Sequence, residues 1–376
     1  MTDAVIVDAV RTPIGRRNGS LAGIHPADLS AVVLNALTER NDLAPEDVDD
    51  VVWGCVSQVG DQASNVARTA VLAAGWPESV PGTTINRACG SSQQALHFAA
   101  ASAVAGHYDI VVAGGVESMT RVPMGSSRVG GEPFPTSVLE RFGVEGFNQG
   151  IGAEMMADKW SLSRRQLDEF ALRSHELAAA ATDSGVMNSS IVPVGGLAVD
   201  EGIRRGGTLE SLGQLKTVFR EDGVVHAGNA SQISDGAAAL LVTTSDIVQR
   251  RGFTPLARVH TAVLAADDPV MMLSAPIHAT ARALERSGLS IDEIGVFEVN
   301  EAFAPVPLAW LLETGAREDR LNPLGGAIAV GHPLGASGAI LMTRMLTYMR
   351  DRGIRYGLQT MCEAGGMANA TIVEAL

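Results

Sequence analysis

An α/β fold assembled from two related halves is what this 376-residue chain predicts, and three observations carry the prediction. Strand-like apolar runs alternate with Ala-rich helical segments in both ends of the chain, the pattern of βαβ units and of sheets covered by helices. The chain repeats itself. Residues 43–53 line up with 289–299, Cys89 falls on His332, and 108–112 fall on 356–360, all at nearly equal offsets. A composition of 46% apolar and 4% aromatic residues supplies an aliphatic core large enough for two or more lobes.

Taken in order, residues 1–7 read as a strand rather than a signal peptide. Residues 86–92 form a glycine turn around Cys89, and the run from Gln93 to Ala100 is amphipathic and rich in good helix formers. Cys89 is therefore expected where a strand hands over to a helix. Residues 118–233 break the repeat. They hold a glycine- and proline-dotted stretch over 125–135 and a charged helix over 163–181, with Ser163 and Gln166 as a capping pair. In the second half, 325–330 reads as a short apolar strand, His332 sits between Gly331 and Gly335, and Pro333 opens a helix. Residues 356–361 read as a strand ending at Cys362. The expected division is an N-terminal half over 1–117 to which 234–255 returns, an insertion over 118–233, and a C-terminal half over 256–376.

A cysteine at a helix start faces unpaired N–H groups and the positive end of the helix dipole, which favour the nucleophilic thiolate. Its unperturbed pKa is about 8.5, so that help matters near neutral pH. Glycines around His332 let a ligand approach the backbone closely. Taken singly, Cys362 reads as a strand-end core thiol and Cys55 as structural. Related halves would bring equivalent strand-to-helix turns to one crevice, where Cys89 and His332 meet.

The net charge of −14 argues against a nucleic-acid or anionic-membrane surface, so an anionic ligand needs a local basic pocket. That pocket must be built from arginine, because the lysines are Lys159 and Lys216 and neither follows a phosphate loop. Three cysteines without a closely spaced pair fit a reducing cytoplasm better than a disulfide framework or a zinc cluster. No apolar run has the length of a membrane span.

Five blocks occur in order: the Cys89 turn, Gly228-Asn229-Ala230-Ser231 with Asp235-Gly236-Ala237-Ala238-Ala239, Asn300-Glu301-Ala302-Phe303-Ala304, the His332 loop, and Cys362 with its glycines. Together they resemble the thiolases, the acetyl-CoA acyltransferases, over essentially the whole chain. The resemblance implies a layered αβαβα architecture, with 118–233 as a loop domain that covers the site and binds coenzyme A. It implies coenzyme A as substrate, no permanently bound cofactor or metal, and a homodimer or homotetramer. Cys89 would attack the keto carbon and become acylated, and His332 would take its proton. Cys362 would protonate the departing acetyl-CoA carbanion and then deprotonate incoming coenzyme A.

Further roles follow from the same resemblance. Asn300 would hold a water that stabilises the enolate oxygen together with His332, and the N–H groups of Cys89 and Ala364 would hold the tetrahedral oxygen. Ala364 replaces the family's glycine, and alanine reaches fewer backbone conformations. Arg204 and Ser211 fall on adenosine-contacting positions and Ser231 on a pantetheine-contacting one. Members that favour acetoacetyl-CoA carry histidine and methionine where this chain has Asn148 and Gln149, so it resembles members acting on longer or bulkier chains. Met272 falls on an acyl-pocket position, and core packing is the alternative reading for both Met272 and Phe147.

The expected activity is degradative thiolysis of 3-ketoacyl-CoA, with a short-chain acetoacetyl-CoA thiolase and a noncatalytic lipid carrier as alternatives. Asn300 and Cys362 argue against a decarboxylating ketosynthase, and an intact set of groups argues against the carrier. Arg87 stands where a nucleophile elbow needs glycine, which argues against a cysteine hydrolase. Residues 11–19 lack the glycine fingerprint of a dinucleotide oxidoreductase.

Overall fold

The computed structural model describes residues 2–376. β1 (Ala4–Arg11) and β2 (Gly15–Arg16) lead to α1 (Pro26–Arg40), β3 (Asp50–Gly54), α2 (Val66–Ala73), β4 (Thr83–Ile85), α3 (Ser91–Val104) and β5 (Ile110–Ser118). Before the sheet resumes come α4 (Thr136–Phe142), α5 (Gln149–Lys159), α6 (Arg164–Ser184) and α7 (Leu209–Gly213). Next are β6 (Ser234–Thr244), α8 (Ser245–Arg251), β7 (Ala257–Ala266), α9 (Ala275–Ser287), β8 (Val296–Val299) and α10 (Pro305–Thr314). The chain closes with α11 (Ala327–Val330), α12 (Ser337–Arg352), β9 (Tyr356–Glu363) and β10 (Met367–Ala375).

The strands form one ten-stranded sheet in the order β4-β3-β5-β6-β1-β7-β10-β9-β8, with β2 on β6. Two copies of one motif lie inside it. Both β3-β5-β6-β1 and β8-β9-β10-β7 pair parallel, antiparallel, antiparallel. The copies join where β1 pairs with β7 at Val5↔Arg258 and Ile6↔Ala257. The predicted repeat is present, with one correction to its alignment. Val51 pairs with Val112 and its counterpart Phe297 pairs with Leu358, so Ile110, not Tyr108, is the equivalent of Tyr356. Ladder register, not the shared tyrosine, fixes equivalence here, because a strand's facing alternates with every residue.

Helices α3 and α12 lie between the two half-sheets. A single core cluster unites Ile6, Val111 and Leu240 of one half with Ala95 and Leu96 of α3, Ile340 and Met345 of α12, and Val296 and Val373 of the other half. α1 and α2 cover the outer face of the first half, and α9 and α10 that of the second. The layers are therefore αβαβα, and every residue of β6 is buried, as a strand covered on both faces requires. Between β5 and β6 lies the long insertion, whereas a turn over 364–366 joins the equivalent β9 and β10.

Two local expectations are corrected. The short apolar strand read over 325–330 is instead the helical turn α11. A short buried apolar run carries no periodicity that separates strand from helix, and Ala327 and Ala329 favour helix. Pro333 does not open α12 but lies in the loop before it, while Ala336 is the N-cap. The charged helix is present as α6, with Ser163 and Gln166 forming a reciprocal capping box.

Candidate active site

The N-termini of α3 and α12 abut, with the Ala339 N–H donating to Ser92 Oγ at 2.9 Å, and Gln93 Nε2 donates to the Gln359 carbonyl at 3.2 Å, which ties α3 to β9. Two turns thereby meet. Cys89 is separated from α3 by Gly90 alone, and His332 from α12 by residues 333–336. Cys89 shares a small buried apolar cluster with Leu334 of the histidine loop and Met361, the neighbour of Cys362. The residue before Cys89, Ala88, has φ +44°, a left-handed conformation that costs a non-glycine residue roughly 1–2 kcal/mol.

The histidine loop is held on both sides. Gly331 has φ +109°, and a Cβ there would collide with Ser234 Oγ, so the position requires glycine. The His332 N–H donates to the Gln232 carbonyl and Ser234 Oγ, each at 3.2 Å. Glu117 accepts the Gly335 N–H at 2.9 Å while also accepting from Val56, Ser57 and Gln62, which ties this loop to the end of β3.

The imidazole itself has a defined tautomer. Ser337 Oγ lies 2.9 Å from the Pro333 carbonyl, to which its single proton is donated, and 2.6 Å from His332 Nδ1. It therefore accepts the Nδ1 proton and leaves a lone pair on Nε2. Asn300 Nδ2 stands 3.4 Å from that nitrogen and 3.8 Å from Cys362 Sγ, while Asn300 Oδ1 is buried without a partner. Asn300 follows β8, and its N–H donates to Thr360 on β9, which places it beside Cys362.

Burial governs the titration of all three groups. It lowers His332 to about 4, so the ring is neutral at physiological pH, with a lone pair free to accept a proton. Burial raises Cys362 to about 12 against the hydrogen bond from Asn300. Cys89 is pushed well up, first by burial and then by the fields of Cys362, Glu363 and Glu117. The expectation that the helix start alone favours a Cys89 thiolate is thus corrected. Desolvation is the largest influence on the thiol, which needs a base.

The remaining predicted residues fall in different surroundings. Ala364 is half-buried in the β9–β10 turn, where Gly365 and Gly366 have positive φ and Ala364 does not, so alanine is conformationally adequate. Arg204 is exposed and appears in no ion pair among the described residues, whereas Arg205 makes a two-pronged pair with Asp183 at 2.6 and 2.8 Å. Ser211 is exposed at the start of α7, its hydroxyl donating to the Thr208 carbonyl at 2.8 Å. Ser231 is half-buried, and its N–H donates to Ala302, so its loop pairs with the Asn300 block. Asn148 is exposed and caps α5, accepting from Gly150 and Ile151. Its side chain is spent on starting a helix. Met272 is buried with φ +64°, and Phe147 packs edge-on against Phe134 and Phe142.

Sequence reasoning missed Ser337, Glu117 and Glu363. A serine near a helix start is ordinary, and Glu117 ends an apolar strand as many surface acids do. The repeat offered one usable signal, since the ladder register makes Glu117 and Glu363 counterparts.

Two buried thiols, one neutral imidazole and an amide between them, on a duplicated α/β scaffold, define an acyl-transfer site with a nucleophile, a base and a separate proton carrier. The thiolase N-terminal domain model matches residues 4–246, and the thiolase C-terminal domain model matches residues 253–375. The chain is 49% identical to a steroid 3-ketoacyl-CoA thiolase of Mycobacterium tuberculosis, over 100% of this chain and 95% of that protein. It is 44% identical to a beta-ketoadipyl-CoA thiolase of Escherichia coli and 42% identical to a 3-ketoacyl-CoA thiolase of Idiomarina loihiensis, with both chains of each pair fully covered. The chain belongs to the thiolase family and is an acyltransferase.

Proposed function

We propose that this thiolase cleaves 3-ketoacyl-CoA with coenzyme A in the degradative direction, on bulky acyl chains, through an acyl-enzyme on Cys89. The observation that carries the reading is the contact of Asn300 with both His332 Nε2 and Cys362 Sγ, beside the Cys89 cluster. The names of the relatives favour degradation, and the steroid enzyme among them favours bulky chains.

His332 Nε2 takes the Cys89 proton as sulfur attacks the keto carbon. The bond between the α-carbon and that carbon breaks, and Cys362 gives its proton to the released carbanion to form acetyl-CoA. Cys362 thiolate then takes the coenzyme A proton. The coenzyme A sulfur attacks the acyl-enzyme, and Cys89 leaves and recovers its proton from His332. Asn300 orients the imidazole, stabilises the Cys362 thiolate and holds the water at the enolate oxygen. Backbone N–H groups of Cys89 and Ala364 serve the tetrahedral oxygen.

The insertion over 118–233 acts as the coenzyme A-binding lobe. The Arg204 guanidinium, in no ion pair among the described residues, suits a phosphate, and Ser231 lies on the loop that pairs with the Asn300 block. Ser211 can still accept a hydrogen bond at the adenosine end. The acyl group is placed near Met272.

The test is coenzyme A-dependent cleavage of a 3-ketoacyl-CoA panel, from acetoacetyl-CoA to long-chain and steroid side-chain thioesters, with Cys89→Ala alongside. Turnover of bulky members, lost in the variant, is expected. Turnover of acetoacetyl-CoA alone would replace this reading by the short-chain one.

A further inference from the structure

None of these steps uses the residue after Cys362. Glu363 projects from β9 to the opposite face from Cys362, and its side chain is wholly buried beneath the turn that carries Cys89. A Cβ on Gly90 would collide with Glu363 Oε1, so any other residue there would displace the acid from beneath the turn. Neither carboxyl oxygen has a hydrogen-bond partner, and Asn369 Oδ1 and Arg87 Nε nearby have none either. Arg87 Nη1 comes only to 3.9 Å, beyond hydrogen-bond reach.

The counterpart in the other half shows what a satisfied acid looks like at this place in the motif. Glu117 accepts from Val56, Ser57, Gln62 and Gly335 at 2.8–3.0 Å. Glu363 has acceptors and no donor. A carboxylate buried in that state is costly, whereas a carboxylic acid brings its own donor to a neighbourhood holding the unpartnered Asn369 oxygen.

We propose that Glu363 is a positioning residue of the two-thiol site: as an uncharged acid it supports the Cys89 turn from beneath and keeps negative charge out of the space that Cys89 and Cys362 share. The consequence for turnover rests on the thiolase reading above, but the placement does not. Burial drives Glu363 up to about 8, opposed by Arg87. The charged group facing it is Arg87, from the turn before α3 that also carries the Cys89 thiol; β10 presents the uncharged Asn369 and Met367, and the adjacent Cys362 lies on the other face of β9. Once ionised, Glu363 opposes a thiolate on Cys89 and on Cys362, and each must form during the cycle.

Glu363→Gln keeps the shape and removes the titration. The rate of Cys89 alkylation by iodoacetamide, read by peptide mass spectrometry, is compared with the wild type from about pH 7 to about pH 9.5. The variant-to-wild-type ratio is expected to rise roughly threefold or more across that range. Glu363→Met, without charge or donor, is expected to show the same rise, which assigns the effect to charge and covers a poorly folding Gln variant. In thiolysis, the alkaline limb of kcat moves to higher pH while KM for coenzyme A stays put. A ratio that is flat with pH, or alkylation slowed at every pH in both variants because an ionised Glu363 was anchoring Arg87, would overturn the proposal. A rising ratio in a protein that cleaves no 3-ketoacyl-CoA would sink the functional reading and leave the placement of Glu363 standing.

Discussion

Ser337 accepts the Nδ1 proton of His332 at 2.6 Å, and in doing so decides which nitrogen of the imidazole can act as a base. The hydroxyl is held in that role by the Pro333 carbonyl, 2.9 Å away. Ser337→Ala removes the partner of a buried N–H and frees the ring to take the other tautomer, which places a proton where a lone pair is needed. A fall in kcat of roughly 10- to 100-fold is expected, with KM for coenzyme A little changed and Ser337→Thr restoring most of the rate. Loss of coenzyme A affinity with kcat intact would show that Ser337 only packs the helix start.

Neighbouring arginines are predicted to differ. Arg205 is engaged by Asp183 through two short hydrogen bonds, whereas Arg204 is exposed and in no ion pair among the described residues. Arg204→Ala should raise KM for coenzyme A about tenfold at low salt, with the difference shrinking as ionic strength rises. Arg205→Ala should change it less than about twofold, the ordinary worth of a surface pair. Equal effects would mean that the exposed Arg205–Asp183 pair opens on binding. KM for coenzyme A lacking the 3′-phosphate tells whether Arg204 addresses that group.

The site was legible where chemistry demanded a rare arrangement of residues. Cys89 in a glycine turn before a helix, His332 between glycines, and Cys362 at a strand end stood out because each joins a reactive group to spare backbone. The duplication was legible because residues 43–53 and 289–299 share both polarity and turn residues. What escaped was whatever depended on register or on partners distant in sequence. α11 and the equivalent β4 differ in state at corresponding places: β4 pairs with β3, whereas beyond β9 the described residues offer β8 only an isolated bridge from Leu321 to Phe297. Ser337 and Glu363 look unremarkable in sequence, and only the contacts that they make or fail to make single them out. The thiol of Cys89 was misjudged for the same reason, because desolvation is a property of the packed core and not of the turn.

A second buried acid shapes the stability of the fold. Glu298 on β8 is fully enclosed with no hydrogen-bond partner for either oxygen. Burial raises it to about 8, with Arg344 pulling down and Glu301 pushing up. Because the folded value lies above the unfolded one of about 4.3, its contribution is whole below that value and is lost as pH rises through the folded one. The buried histidines act in the opposite sense. Burial lowers both His332 and His97 to about 4, so they withdraw stability as pH falls below their unfolded value of about 6.5. Between about pH 6.5 and about pH 8 the histidines are mostly neutral in both states, so the buried acids whose folded values are raised, Glu298 and Glu363 together with Glu117, Glu301 and Asp235, set the slope. The thermal midpoint of the wild type should therefore fall across that window. Glu298→Gln, which neither ionises nor repels Glu301, should flatten the fall from about pH 4.3 to about pH 8 and leave the slope below about pH 4.3 unchanged. A wild-type midpoint that holds steady from about pH 6.5 to about pH 8 would mean that the buried acids are ionised in the folded chain, and a variant that falls as steeply would mean that Glu298 in particular is, with Arg344 neutralising it as an ion pair.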